Sequence, residues 1–429
     1  MRGKYIVLQK KLLNNSSHDF GRNMSALAIN WLTINIFVNI FHFEVLAVQT
    51  QTLPQKISNV SIITGQITGL DKKFSNTGTL ITLRDQKSIE FDAETIAKFN
   101  PEATTLVQTL NRFGLYNAGD LFNLGTLEID ADPQVKYLAP TYAIGLNDNW
   151  TFALAVPIIQ YSNTVVMRQS LSNKSYYEQF RGLSPDLDAA LDTNLEVATQ
   201  HALINKGYDP IQNQKSDFIG DIQLINLYKF LSTAKSHFVN NLTVVLPTGP
   251  KFNPDNLLAL NNFHKFSIEN TISYSYLLNS FISITPFIGL KYFIPNQIIV
   301  RVAQNINDTL PDQYSKQSLT LQEGFHQEIG TMLSWSLNDD FSINQSIKYG
   351  TKSSDRYSKP TNGTTQLLEN NTDQTWQRYA IEINYSMIKS YLKKQSLLPM
   401  NLNFKIYDTF SGRNIEKQQG QELTISLFF

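Results

Sequence analysis

The chain ends on Leu423-Thr424-Ile425-Ser426-Leu427-Phe428-Phe429, an unbroken alternation that stops on a phenylalanine. Successive side chains of an extended strand point to opposite faces. Leu423, Ile425, Leu427 and Phe429 therefore share one side, and Glu422, Thr424, Ser426 and Phe428 the other. One greasy and one mostly wettable face suit either a barrel wall between lipid and water or the edge of a soluble sheet. Stripes elsewhere in the chain separate the two. In Phe281–Pro295 one face carries Ile282, Ile284, Pro286, Ile288, Leu290, Tyr292 and Ile294, and the other mainly Ser283, Thr285, Gly289 and Lys291. No soluble sheet requires an apolar stripe of that length.

The same pattern recurs from Asn117 onward. Candidate strands are Leu121–Asp130, Val135–Leu146, Trp150–Ser162, Asp217–Leu231, His237–Pro247, Phe263–Leu278, Phe281–Pro295, Leu319–Leu337, Phe341–Ser353, Thr375–Ile388, Met400–Phe410 and Gln421–Phe429. Short polar connections alternate with long ones. The tight ones are Leu146–Trp150, Ser232–Ser236, Asn279-Ser280 and Leu337–Phe341. Two of them share a solution: Gly145-Leu-Asn-Asp-Asn-Trp-Thr-Phe152 and Ser336-Leu-Asn-Asp-Asp-Phe-Ser-Ile343 both use Asn and Asp for turn dihedrals. The long ones are Asn163–Ser216, Gly249–Asn262, Asn296–Ser318 and Lys352–Gln374. With Phe429 placed in the periplasm, every tight turn falls on that side and every long loop outside. This predicts an all-β fold, a transmembrane antiparallel β-barrel of about twelve strands over residues 120–429. Phe230, Phe238, Tyr276, Phe281, Trp335 and Phe341 lie near the tight turns, where an interfacial girdle belongs. Asn226, Asn270 and Gln345 fall on the lipid-facing parity and need a neighbour or a bulge there. The Lys389–Pro399 connection is long for a periplasmic turn.

Composition narrows the function classes. Lys plus Arg and Asp plus Glu each number 36, so no charge excess calls for nucleic acid. The absence of cysteine excludes disulfides, thiolate metal sites, cysteine nucleophiles and a lipoprotein anchor. A mean hydropathy of -0.22 is too low for a multi-helix membrane protein, whereas a barrel averages its two faces away. The six histidines show no metal-binding spacing, and no motif for catalysis or a cofactor is present. Asp130 and Asp132 form a DxD, in what reads as an outer loop, that suits calcium no better than a solvated turn.

The N-terminal residues split into two pieces. Arg2, Lys4, Lys10, Lys11 and Arg22 precede the apolar stretch Ala26–Val48, and Val45-Leu46-Ala47 offers small residues at the −3 and −1 positions. Residues 1–47 are expected to be a secretory signal peptide, the alternative being an uncleaved anchor interrupted by Asn30, Asn35, Asn39, His42 and Glu44. Met24 is a second candidate start. Residues 48–119 read as a small α+β module, with β segments at Val60–Gln66, Thr79–Arg84 and Ser88–Phe91 and a helix over Ala93–Phe113. It is expected in the periplasm, or as a plug.

Within the barrel region, 171–211 is helical, with Leu187, Ala190, Leu191, Leu195, Ala198 and Leu203 forming a stripe. It either caps the mouth or is a surface helix that stabilises an extracellular loop. Parity sends Lys136, Asp221, Lys229, Glu269, Lys291, Glu328, Lys348, Arg378, Glu382, Lys405 and Glu422 to the lumen. Their signs are mixed, so bracing pairs are expected to outnumber solute contacts. Arg378 and Glu382 are too far apart on one strand to pair directly, and cross-strand partners are expected.

Three segments carry a family resemblance in combination: Tyr142-Ala-Ile-Gly-Leu-Asn-Asp-Asn-Trp-Thr-Phe-Ala-Leu-Ala-Val-Pro157, Ile219-Gly-Asp-Ile-Gln-Leu224 and Leu242-Thr-Val-Val-Leu-Pro-Thr-Gly249, followed by the terminal phenylalanine. From Asp120 onward the chain resembles the outer-membrane "transporter" family linked to the MetA pathway of phenol degradation. The final strand also resembles the closing strand of bacterial outer-membrane barrels, which implies Phe429 as an assembly signal read by the barrel-assembly machinery. The family implies passage of small hydrophobic or aromatic compounds and supplies no site residue. The expectation is a monomeric channel in the bacterial outer membrane, in contact with its lipids, without chemistry, cofactor or nucleic acid. A non-conducting barrel that displays loops to partners is the alternative, and a barrel hydrolase a third.

Overall fold

The computed structural model describes residues 51–82, 89–93, 107–108, 110–112, 119–260 and 263–429. The expected signal peptide and most of the expected helix at Ala93–Phe113 lie outside them. The remainder is a closed 12-stranded antiparallel barrel. Its strands are β1 (Ser58–Thr68), β2 (Asn123–Asn147), β3 (Trp150–Ala155 and Ile158–Ser170), β4 (Gln214–Ile219 and Ile222–Ser232), β5 (Ser236–Leu246) and β6 (Ser267–Leu277), continuing with β7 (Ile282–Phe293), β8 (His326–Ser336), β9 (Phe341–Lys352), β10 (Gln374–Ser386), β11 (Met400–Arg413) and β12 (Gln419–Phe428). Each pairs with its sequence neighbours, and β1 closes the ring on β12 from Asn59–Phe428 to Thr68–Gln419. Ser58 N–H donates to the Phe429 carbonyl at 2.8 Å, and Phe429 N–H returns the bond at 3.0 Å.

Side chains sort as alternation dictates. Ile62, Leu154, Ile288, Ile329, Ile383 and Ile425 are exposed on the outer face, where an apolar surface meets lipid. The tight turns lie where expected, at one end, with Phe230, Tyr276 and Phe281 exposed beside them and the Phe230 and Phe238 rings 5.3 Å apart. Two outer-face amides have the neighbours they need. Trp150 Nε1 donates to Asn226 Oδ1, and Asn240 Nδ2 donates to Asn270 Oδ1 at 2.5 Å. Gln345 faces outward without such a bond among the described residues.

The strand count agrees with expectation through two compensating differences. Leu121–Asp130 and Val135–Leu146 are parts of one strand, β2. Pro133 reads as a break, but β1 pairs β2 only as far as Val135 and Ile89–Asp92 pairs it only up to Leu127. Among the described residues no strand pairs that edge between them, so no bond there calls for a proline N–H. Asp130 and Asp132 consequently sit within the strand rather than in a loop. In exchange, Ser58–Thr68, expected within a separate periplasmic module, forms the first wall strand. The residues after it lie at the loop end, opposite Phe429: Lys72–Phe74 pairs with Leu80–Thr82 and with Ile415–Glu416. The expected strand Leu319–Leu337 is likewise two elements. Lys316–Gln322 pairs with Asn296–Arg301 in a hairpin off the barrel, and β8 begins at His326. The chain turns at Gly324, where an added Cβ would fall 1.7 Å from the Ser353 carbonyl oxygen.

β2 and β3 rise beyond the apolar belt, and their inner faces stay greasy there. The helices α1 (Pro185–Asp192) and α2 (Leu195–Asn205) dock on them. Ser184 caps α1 by accepting from Leu187 N–H, with Pro185 in the first turn, and Asn194 caps α2 by accepting from Val197 N–H. Leu187, Leu191 and Leu195 pack with Leu127 of β2, and Leu203 with Ile129, with Met167 of β3 partly buried against both groups. These wall residues have inward parity, so the insertion packs on the inner face of the hairpin.

Four inner-face glycines each lie under an aromatic ring of the neighbouring strand: Gly65 under Tyr137, Gly330 under Phe287, Gly350 under Trp376 and Gly420 under Tyr407. The missing Cβ lets the ring lie along the wall rather than across the bore. At Gly350 a Cβ would be 2.1 Å from the indole. Gly350→Ala is expected to destabilise the barrel by about 1–3 kcal/mol through overpacking. Gly289→Ala, whose Cβ comes only within 3.3 Å of the Thr271 hydroxyl, should cost less. Urea titration of the heat-modifiable gel band would rank the two.

Candidate functional site

The inner wall has two unlike halves. On β1–β5 it is apolar and closely packed: Ile63, Val135, Ala139, Ala153, Ala155, Ile225 and Val239 are all buried in one cluster. On β8–β12 it is polar and half-buried, with Ser334, Asn344, Ser346, Asn384, Asn403, Thr424 and Ser426 toward the turn end. Solvent reaches the second half. A strand pattern in which alternate positions are Ser, Thr or Asn builds such a wall because those side chains bond to one another across strands.

Charges lie among them in cross-strand pairs. Lys291 Nζ is 3.4 Å from Glu269 Oε2 and Lys348 Nζ 3.2 Å from Glu328 Oε2. Trp376 Nε1 also donates to Glu328 Oε1, at 3.0 Å. Glu422, Lys405 and Glu382 stand side by side on β12, β11 and β10, an alternating ladder. Tyr137 donates to Glu422 Oε2 at 2.7 Å, and Asn344 and Asn403 donate to Glu382 Oε1 at 3.1 and 2.5 Å. Arg378 donates to Thr409 Oγ1 at 3.2 Å and to Gln418 Oε1 at 2.7 Å, with its guanidinium 5.4 Å from the Tyr407 ring centre. Few of these groups are unengaged, as buried charge requires.

Glu269, Lys291, Glu328, Arg378, Glu382 and Lys405 lie on the inner face of their strands, and Lys229 has inward parity near the turn end. Two sites differ. Lys136 is exposed on the outer face of β2, because Val135 and Tyr137 are the inward residues there. Asp221 sits at the break in β4 and serves a loop: it accepts from the backbone N–H of Gly249, His264 and Lys265 at 2.7, 3.1 and 3.2 Å. Those bonds pin the 247–266 connection to the wall.

A second layer of charge closes the loop end and escapes any reading of single strands. Lys265 Nζ lies 2.6 Å from Glu323 Oε2, Lys352 Nζ 2.7 Å from Asp355 Oδ1, and His326 Nε2 4.0 Å from Glu323 Oε1. The His326 ring is wedged between Phe293 and Trp376, at 5.2 and 5.9 Å. Burial alone would push the Glu323 carboxyl up, but Lys265 and Lys352 outweigh it and hold it at about 2. Asp355 moves the other way, burial raising it despite Lys352.

Above this layer lies a cavity of about 500 Å³. Its walls are Phe252, Phe263, Ile298, Val300, Leu321, Tyr357 and Leu368, and its floor includes Lys265, Glu323 and Asp355. Lys251, Asp255, His264, Asn296, Gln297, Lys316 and Thr372 complete the lining, so the chamber is mixed, with an apolar wall facing a polar and charged one, and a concave space of this kind can hold a small molecule. Its floor is shared with the barrel, since Glu323 and Asp355 pair with or abut His326 and Lys352 of the inner wall.

The surrounding loops are tied at one residue. Arg301, buried, donates to Asp255 Oδ1 at 2.6 Å and to the carbonyls of Lys206, Gly207 and Pro311 at 2.7, 2.5 and 3.0 Å. Its guanidinium stacks 3.6 Å from the Tyr208 ring centre, and Lys316 Nζ reaches Asp255 Oδ2 at 2.6 Å. The hub joins the end of α2, the 247–266 connection and the off-barrel hairpin.

No family model matches the sequence, and no curated protein matches it. Among solved structures, an outer membrane channel from Pseudomonas putida F1 aligns with a TM-score of 0.52 at 10% identity, over 90% of this chain and 100% of that one. The Pseudomonas putida toluene transporter TodX aligns at 0.32 and 10% identity, over 94% and 96% of the two chains. The transport unit of the autotransporter AIDA-I from Escherichia coli aligns at 0.36 and 7% identity, over 94% and 97%. The first likeness is one of fold, the fold of an outer-membrane channel barrel.

Glu323 gives the loop layer a pH dependence. Its folded pKa is depressed from 4.5 to about 2, so its contribution to stability is complete above about pH 4.5 and is lost as pH falls toward 2. Hydrogen exchange at residues 323–326 and 353–355 should accelerate in that window, and Glu323→Gln should flatten the dependence. Arg301→Ala should loosen α2 and the 302–315 segment by about 3–5 kcal/mol, the cost of breaking a buried ion pair. Exchange in β6–β12 should not change.

Proposed function

We propose that this chain is an outer-membrane channel that admits small solutes with an apolar body and a hydrogen-bonding group. Passage is by diffusion, filtered by shape and charge, without chemistry or a cofactor. The turn end faces the periplasm and the loop end the outside, and Phe429 closes the wall as the assembly signal. A single barrel is the working unit, so the chain is a monomer in its lipid.

The observation that carries this reading is the chamber at the loop end, whose floor is also the top of the inner wall. A solute leaving Phe252, Tyr357 and Leu368 passes the Lys265–Glu323 and Lys352–Asp355 pairs and then meets the half-buried amides and hydroxyls of β8–β12. The apolar body gains from the first surface and the polar group from the second. Monoaromatic acids and phenols have both parts, which agrees with the family resemblance of residues 120–429.

A second reading is supported by the Arg301 hub and by the packed inner face of β1–β5. A barrel whose loops are locked together and whose interior is half filled could serve to display those loops to a partner. Conductance separates the two. In planar bilayers and in liposome uptake of benzoate, the channel reading expects small single-channel currents and saturable entry. Absence of both in folded protein would overturn it. Phe252→Asp or Leu368→Asp should slow benzoate entry several-fold while leaving the ionic current within about twofold, since ions need no apolar chamber.

A further inference from the structure

One turn-end connection does not fit the economy of the others. Residues 387–399 join β10 to β11 through the short helix α3 (Ile388–Leu392), where the remaining turns are tight hairpins. A helix of this length is not stable by itself. It is held by the neighbouring turn: Lys389 Nζ and Lys393 Nζ reach Asp339 at 2.8 and 3.4 Å, and Ser390 Oγ donates to Asp340 Oδ2 at 2.9 Å. The segment so fixed is greasy and uncovered. Leu392 is 74% exposed, Leu397 95% and Leu398 54%, with Tyr391 exposed beside them.

The helix ends in a full C-terminal capping motif. Gln395 N–H donates to the Ser390 carbonyl at 2.8 Å and Lys394 N–H to the Tyr391 carbonyl at 2.9 Å. The residue at the left-handed position is Lys394, with φ of 59°. Glycine would adopt that conformation at lower cost. The lysine brings a second cation next to Lys393, and it has no ion-pair partner among the described residues.

We propose that residues 391–398 anchor the barrel in the headgroup layer of the leaflet at its turn end. Leu392, Leu397 and Leu398 enter the acyl boundary, and Lys394 meets the phosphates of anionic phospholipid. The segment is continuous with the lipid belt, because Tyr385 of β10 and Phe404 of β11, the strands it joins, are exposed on the outer face. Lysine stems of this kind run along apolar surface and place the ammonium at the interface. The inference rests on the membrane-spanning reading of the barrel.

The absence of cysteine makes the test clean. Nitroxide labels on Leu397→Cys, Ile383→Cys and Ala234→Cys are compared in vesicles containing phosphatidylglycerol. Collision with oxygen reports lipid, and collision with a water-soluble nickel chelate reports solvent. Ile383 marks the belt and Ala234 a tight turn in water. The expected result is a label at Leu397 that resembles Ile383 in its oxygen preference. If Leu397 resembles Ala234 while Ile383 reports lipid, the anchor is overturned and the barrel stands. If Ile383 also reports water, the membrane reading itself fails. Lys394→Gly separates charge from folding: it relieves the left-handed lysine, so the gel-shift midpoint should hold or rise. The oxygen preference at Leu397 should meanwhile lose its dependence on the phosphatidylglycerol fraction. An unchanged dependence would remove the phosphate contact from the proposal.

Discussion

Everything in this molecule depends on leaving no backbone group unpaired within hydrocarbon. A strand edge in lipid has no water to satisfy its N–H and C=O groups, so a spanning sheet must close. Here the seam is β1 against β12, ten registered positions ending in the reciprocal bonds between Ser58 and Phe429. The seam fixes the even strand number, brings both ends of the barrel chain to one side and sends the long connections to the other. It also explains why Ser58–Thr68 is in the wall despite lying far from β2 in sequence. Without it β2 and β12 would each present a bare edge.

Closure creates an interior that must be satisfied in turn. The inner wall does this with short side chains that bond across strands and with charges set opposite their complements, as in the Glu422–Lys405–Glu382 ladder. The greasy half of the interior needs no such arrangement. It continues upward into the β2–β3 hairpin and receives α1 and α2 as a soluble core would. The protein thus has two kinds of packing on one continuous sheet.

Much of this is legible in the order of the amino acids alone. Asn-Asp turns, outward Ile and Tyr stripes and inward charges obey a two-residue period that survives tertiary context. The features that escape it do so for physical reasons. In Ser58–Thr68 the inward Ile63 and Ile67 are as apolar as the outward Val60 and Ile62, so alternation is blurred. Pro133 signals a break, except where no described strand asks for its N–H. Gln322–His326 carries no glycine pair or proline to mark its turn, only Gly324 against the Ser353 carbonyl. For the site, parity misplaces Lys136 and does not foresee that Asp221 serves a loop, and it says nothing of partners, because pairing depends on how strands are staggered. The glycines are the available signal, since a glycine within a strand often marks close approach of another group.

The tall hairpin has a consequence for where its packing takes place. β2 is 25 residues long, which at about 3.3 Å each and a tilt near 40° gives a rise of roughly 60 Å. An apolar band is only about 25 Å tall. The hairpin therefore stands well clear of the lipid surface, and the core it shares with the docked helices is packed in water, as in a soluble protein.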